Sequence, residues 1–183
     1  MPDAALVLID LQKAFAGPDM GRRNNPDAED NVGRLLAGCR DARLPVFHVR
    51  HDSLTPGSPL RAGQPGHDVM DCAAPDAGEP VFAKTINSAF IGTGLEAALR
   101  TAGIRHLIVA GATTDHCVST PVRMAANLGF RVTLAADACF ANDRRSPDGP
   151  TVPAQTVHDV ELAILSGEFA TIATVDAVLS TLA

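Results

Sequence analysis

The sequence predicts a three-layer α/β/α sandwich built on a central, mainly parallel sheet of about six strands. Short apolar runs with β-branched content recur along the whole chain, nearly continuous rather than alternating, as strands covered on both faces are. Segments of helical spacing separate these runs, and several of them close on a glycine, as in Ala102-Gly103 and Leu128-Gly129. In chain order the runs are Ala4 to Ile9, Pro45 to Val49, Pro80 to Ala83, His106 to Ala110, Arg131 to Ala135 and Ala170 to Thr174. Helices are predicted over Asp30 to Ala42, Thr93 to Ala102, Thr120 to Leu128 and Pro153 to Ser166, with a closing helix over Val175 to Leu182. Two stretches break the alternation. Asp52 to Ala77 is rich in Pro and Gly, and Asn142 to Pro153 is similar and carries Asp143, Arg144, Arg145 and Asp148. Loops of that length inside a compact domain are usually functional or disordered.

Composition narrows the function. The chain has 183 residues, 46% hydrophobic and 20% charged, which is ordinary for one globular domain spanning residues 1–183. A net charge of -6 disfavours nucleic acid and anionic lipid as partners, because both need a basic face. The first apolar run breaks at Asp10 and has no basic flank, so neither a secretory signal nor a span is expected. Four cysteines without a C-x-x-C pair suit a reducing, cytoplasmic setting and disfavour a cysteine zinc site.

In an open parallel sheet ligands bind beyond the carboxyl ends of the strands, so polar residues there are the candidates for chemistry. Asp10 follows Leu6-Val7-Leu8-Ile9, where a partly desolvated carboxylate is poised to take a proton; an N-cap or turn role is the plain alternative. Lys84 follows Pro80-Val81-Phe82-Ala83 and is expected at the same rim, unless it merely snorkels to solvent. Cys117 follows Val109-Ala110-Gly111-Ala112-Thr113-Thr114-Asp115-His116, a strand running through a glycine turn into a helix. A thiol at a helix start is expected to have a depressed pKa, and the N–H groups of the turn point where an oxyanion would form. Pro121 fits the first turn of that helix. Cys39, Cys72 and Cys139 read as inert buried thiols. A carboxylate, a lysine and a helix-start cysteine at three strand ends suit nucleophilic acyl transfer.

The chain resembles the isochorismatase-like cysteine hydrolase superfamily, which includes nicotinamidases and N-carbamoylsarcosine amidohydrolase. The likeness is carried by Leu8-Ile9-Asp10-Leu11-Gln12-Lys13-Ala14-Phe15, by Phe82-Ala83-Lys84-Thr85 to Phe90, and by Gly111 to Val118 with Ser119 to Phe130. It implies a Rossmann-like topology and the triad Asp10, Lys84 and Cys117. It also implies a cis peptide between Ala112 and Thr113 and an oxyanion hole from the N–H groups of Thr113 and Cys117. The implied reaction is hydrolysis of a carbon–nitrogen bond of a small amide-type substrate by water through a thioester, with no cofactor. Superfamily members are commonly oligomers, and a homodimer or homotetramer is expected here.

The sequence departs from metal-dependent nicotinamidases, which resemble one another in an Asp-x-His element after the second strand. Here the region reads Phe47-His48-Val49-Arg50-His51-Asp52-Ser53, so those positions are not filled in order. His48, His51 and His67 remain conceivable ligands, but no metal is expected. Isochorismatase itself lacks the cysteine, which favours carbon–nitrogen cleavage. Without Trp or Tyr, Phe15, Phe90 and Phe140, each a few residues beyond a strand end, become candidate pocket walls, with His116 facing the same space. The alternatives are a metal-assisted nicotinamidase and a non-catalytic binding protein on the same fold.

Overall fold

The computed structural model describes residues 3–17, 20–147 and 149–182, so Met1, Pro2, Pro18, Asp19, Asp148 and Ala183 lie outside the description. Its first strand, β1 (Ala4–Ile9), is buried at every position. It pairs in parallel with β2 (Val46–His51) on one side and β4 (His106–Ala112) on the other. The sheet continues to β3 (Val81–Lys84), β5 (Arg131–Phe140) and β8 (Thr171–Ala173), giving six parallel strands in the order β3-β2-β1-β4-β5-β8. The predicted three-layer sandwich is the observed one.

Helices α1 (Ala28–Asp41) and α5 (Val175–Ser180) pack together against the sheet, as do α3 (Ser119–Asn127) and α4 (Ala154–Leu165). Helix α2 (Leu95–Thr101) buries Leu95 and Leu99. Gly103 and Gly129 take positive φ after α2 and α3, where any Cβ would be strained, and so release each helix toward the next strand. Among the described residues no helix is long and apolar enough to cross a membrane.

The differences from the sequence reading are local. Strand β5 runs five residues past Ala135 to Phe140, because the ladder with β4 resumes after an irregularity between Val109 and Gly111. Lys84 is the last residue of β3 rather than the residue after it, and the start of β3, at the sheet edge, is exposed instead of covered. The Asn142 to Pro153 stretch contains a small antiparallel hairpin, β6 (Arg144–Arg145) with β7 (Thr151–Val152). Within Asp52 to Ala77 lie two single 3₁₀ turns, Pro65–His67 and Asp71–Ala73.

The chain moves outward in both directions from the centre of the sheet, to β2 and β3 on one side and to β5 and β8 on the other. The reversal between β1 and β4 opens a crevice beyond their carboxyl ends, the place where such sheets accept ligands.

Candidate active site

Three strand ends deliver the three predicted residues to this crevice. Asp10 leaves β1 with φ 49°, a left-handed conformation uncommon outside glycine, and its N–H is held by the Val49 carbonyl at 2.9 Å. Lys84 closes β3, and its Nζ lies 2.7 Å from Asp10 Oδ2, with both side chains fully buried. The approach is a charge contact rather than an aligned hydrogen bond, and Asp10 Oδ1 has no protein partner among the described residues. The remaining Lys84 contacts are the Ile86 carbonyl at 3.1 Å and His51 Nδ1 at 3.3 Å. Cys117 belongs to a one-turn π-helix, Thr114–Val118, that leads into α3, and Pro121 occupies the first turn of α3 as expected. Its Sγ lies 3.8 Å from Asn87 Oδ1, close enough to Asp10 and Lys84 for both charges to act on it.

The turn reaches this position because β4 ends in a close backbone approach. Gly111 has φ 146°, and a Cβ there would overlap the Ile9 carbonyl of β1. The following peptide, Ala112-Thr113, is cis. The Thr113 carbonyl then accepts from the N–H groups of His116 and Val118, both at 3.1 Å. Behind the turn, Thr114 Oγ1 lies 2.8 Å from His158 Nδ1 of α4.

Burial governs the protonation states. It raises the Asp10 carboxyl, the Lys84 ammonium and the Cys117 thiol pull it back only in part, and the result is about 6. Burial, with the Asp10 charge, pushes the Cys117 thiol up to about 12. This corrects the expectation of a depressed thiol pKa, since desolvation outweighs whatever the helix start contributes. Burial thus favours the protonated thiol over a standing thiolate at rest.

A cavity of about 240 Å³ opens over Cys117, lined by Phe15, Met20, His51, Leu60, Asn87, Thr113, His116 and Arg144 as well. Phe15 and His116 thus line it, whereas Phe90 and Phe140 do not. Phe140 is fully buried under the Arg23 guanidinium, 4.4 Å from its ring centroid, and Phe90 stacks on Phe130 at 6.2 Å. Standing a few residues beyond a strand end does not decide which way a ring turns. The wall residues Met20, Leu60, Asn87 and Arg144 gave no signal in the sequence, except that Arg144 lies in a charged loop. At the mouth Arg144 donates from Nε to Asp115 Oδ2 at 2.6 Å and from Nη2 to Thr113 Oγ1 at 3.3 Å.

The three histidines weighed as metal ligands are engaged separately. His48 Nε2 meets Glu79 at 2.8 Å, His67 Nε2 meets Asp52 at 2.7 Å, and His51 Nδ1 faces Lys84. Asp52 also accepts from Arg50 Nε at 2.8 Å, so these groups do not converge on one point. Among the described residues no three His, Cys, Asp or Glu side chains are grouped to hold a metal ion.

Comparison with known proteins places this geometry in a family. The isochorismatase domain model matches residues 4–177. The chain belongs to the isochorismatase family. A solved isochorismatase-family protein from Chromobacterium violaceum ATCC 12472 superposes with a TM-score of 0.96 at 46% identity, over 100% of this chain and 94% of that one. The isochorismatase family protein YrdC of Bacillus subtilis (strain 168) is 40% identical over 172 residues, 94% of this chain and 92% of its own length. Ureidoacrylate amidohydrolase RutB of Variovorax paradoxus (strain S110) is 27% identical over 173 residues, 74% of this chain and 68% of its own length.

Proposed function

We propose that this family member is a cysteine-dependent hydrolase that opens a carbon–nitrogen bond of amide, ureido or imide type in a small molecule, without a metal. The observation that supports it best is a thiol lining the cavity within the electrostatic reach of a buried carboxyl raised to about 6, itself 2.7 Å from a buried ammonium. Asp10 is then ionised at neutral pH and is the nearest base. The relative that hydrolyses ureidoacrylate supports the bond class.

The reaction follows from these states. As Cys117 Sγ bonds to the substrate carbonyl carbon, its proton passes to Asp10, so a thiol near 12 never has to ionise beforehand. The N–H groups of Thr113 and Cys117 hold the developing oxyanion. Collapse of the tetrahedral adduct breaks the carbon–nitrogen bond. Asp10 returns its proton to the departing nitrogen, leaving a thioester and free amine or ammonia. A water then adds to the thioester carbonyl with Asp10 as base, the carbon–sulfur bond breaks, and the thiol takes the proton back from Asp10. Lys84 favours the ionised form of Asp10 and offsets part of the burial that raises it.

Four free cysteines support a cytoplasmic setting. Exposed Val160 and Ile164 on α4, with Ile86 and Ile91 beyond β3, support a homodimer or homotetramer, which a fully active monomer in sedimentation at micromolar concentration would refute.

The test is turnover by Cys117→Ala and Cys117→Ser on a panel of primary amides, ureido acids and cyclic imides. Both should lose at least about a thousandfold in rate while folding normally, and the wild type should show a mass increase at Cys117 when quenched during turnover. Unchanged rates in both variants would overturn the mechanism.

A further inference from the structure

We infer that His51 is a substrate-binding residue: a neutral imidazole, fixed with its proton on Nε2, that donates a hydrogen bond to a second carbonyl oxygen of the substrate. The inference rests on the cysteine-hydrolase reading above and narrows its substrate class.

His51 ends β2 directly opposite Lys84 in the parallel ladder. The Lys84 ammonium lies 2.7 Å from Asp10 Oδ2 and has hydrogen-bond contacts with the Ile86 carbonyl at 3.1 Å and His51 Nδ1 at 3.3 Å. An ammonium has no lone pair to offer, so His51 Nδ1 must present its own and carry no proton. The ring's proton is then on Nε2. Burial and the Lys84 charge both disfavour a second proton on this ring, against the weaker opposite pull of Asp52.

The ring is also held in place. Gln12, itself buried, accepts from the His51 N–H at 2.8 Å and donates to the His51 carbonyl at 3.0 Å, with a further bond to the His67 carbonyl at 3.0 Å. Both backbone groups of residue 51 are thereby fixed by one side chain anchored at the exit of β1. His51 lines the same cavity as Cys117, and the one hydrogen bond of its ring among the described residues is made at Nδ1, which leaves Nε2 without a protein partner. Around it Phe15, Met20 and Leu60 offer no acceptor, so the ring's donor is left for a substrate that displaces water from the cavity.

The scissile carbonyl belongs at the Thr113–Cys117 turn. A donor elsewhere in a 240 Å³ space therefore selects molecules that carry another acceptor close to the scissile one. Ureido compounds, imides and 3-oxo amides qualify, whereas a simple aliphatic amide leaves Nε2–H unpaired. Because the proton is on Nε2, His51 is not the base that activates the attacking water.

The test pairs acetoacetamide with butyramide, primary amides of similar size that differ in one carbonyl. In protein carrying ¹⁵N-histidine, with His51 assigned by its absence from His51→Asn, the ring should show a protonated Nε2 and a bare Nδ1 from pH 6 to 9. In Cys117→Ala its Nε2–H resonance should shift with acetoacetamide and stay in place with butyramide. A proton on Nδ1, an imidazolium, or equal responses to both amides would overturn the inference without touching the hydrolase mechanism.

Kinetics provide a second arm. His51→Asn retains an acceptor for Lys84 but cannot reach the pocket, and should raise KM for acetoacetamide at least about tenfold while kcat stays within about threefold. His51→Gln restores a pocket donor and should recover most of that loss. An equal fall of kcat on both amides in both variants would assign His51 to the catalytic step instead. Failure of the hydrolase reading is read separately, from turnover in Cys117→Ser.

Discussion

Two carboxylate–cation pairs flank Cys117, and they behave in opposite ways. Asp10 and Lys84 are fully buried, and burial leaves the Asp10 carboxyl raised to about 6 despite the ammonium beside it. Asp115 and Arg144 stand at the cavity mouth, with the Arg144 side chain 33% exposed. There burial also pushes the carboxyl up, but the aligned guanidinium hydrogen bond and the charges of Arg144 and His116 outweigh it, and Asp115 ends below the usual range. Pairing a carboxylate with a cation thus fixes neither its charge nor its use. An off-axis cation in a dry setting leaves a group that can trade protons near neutrality, while an aligned bond at the rim leaves a permanent anion that holds the nucleophile turn and Arg144 together.

The largest expected effect comes from breaking the inner pair. Asp10→Asn should cut turnover at least about a thousandfold and slow alkylation of Cys117 at neutral pH, since the thiol loses its acceptor. It also leaves the Lys84 ammonium buried and unpaired, so denaturant unfolding should show a loss of about 3 kcal/mol. An unaltered alkylation profile would remove Asp10 from the role of base. Breaking the outer pair should do less. Arg144→Met is expected to cost about 1 kcal/mol or less, because a partly exposed pair is weak, and to lower kcat/KM about tenfold by loosening the turn. Losses as large as those of Asp10→Asn would abolish the distinction.

The pH dependence sharpens it further. Asp10 must be ionised to accept the thiol proton, so kcat/KM should fall as pH drops below about 6. Arg144→Met should keep that limb in place. A carboxyl whose folded pKa is raised binds its proton more tightly in the native state. Its contribution therefore favours the fold below the ordinary carboxylate range and declines as pH rises through about 6, a trend that Asp10→Asn should remove from stability–pH curves. The smallest expected effect is none at all: prolonged treatment with a strong chelator should leave turnover unchanged, and loss reversed only by added metal would favour a metal-assisted reading.

The inner pair was legible in the sequence and the outer one was not. Asp10 and Lys84 each close an apolar run, and parallel strands carry such residues to one rim whatever their side chains do. Asp115, Arg144 and the wall formed by Met20, Leu60 and Asn87 come from turns and loops, where no periodicity fixes direction. His51 was visible only as a conceivable metal ligand, because its bond to Lys84 joins residues 33 apart that meet through strand register alone. Strand β5 outruns the predicted Arg131 to Ala135 because Asp137 interrupts its apolar run while the ladder continues beyond it.

Gly111 gives the molecule uneven tolerance to change. Any coding substitution there adds at least a Cβ, and that atom has nowhere to go but into the carbonyl of Ile9. The spacing of β1 and β4 at the crevice is therefore closed to gradual variation, and with it the distance from Asp10 to the turn that carries Cys117. The cavity wall is not so bound, since Leu60 and Met20 come from irregular segments that can exchange side chains without moving a strand. A lineage built on this chain can change the cavity's lining while Asp10 and the turn that carries Cys117 stay where they are.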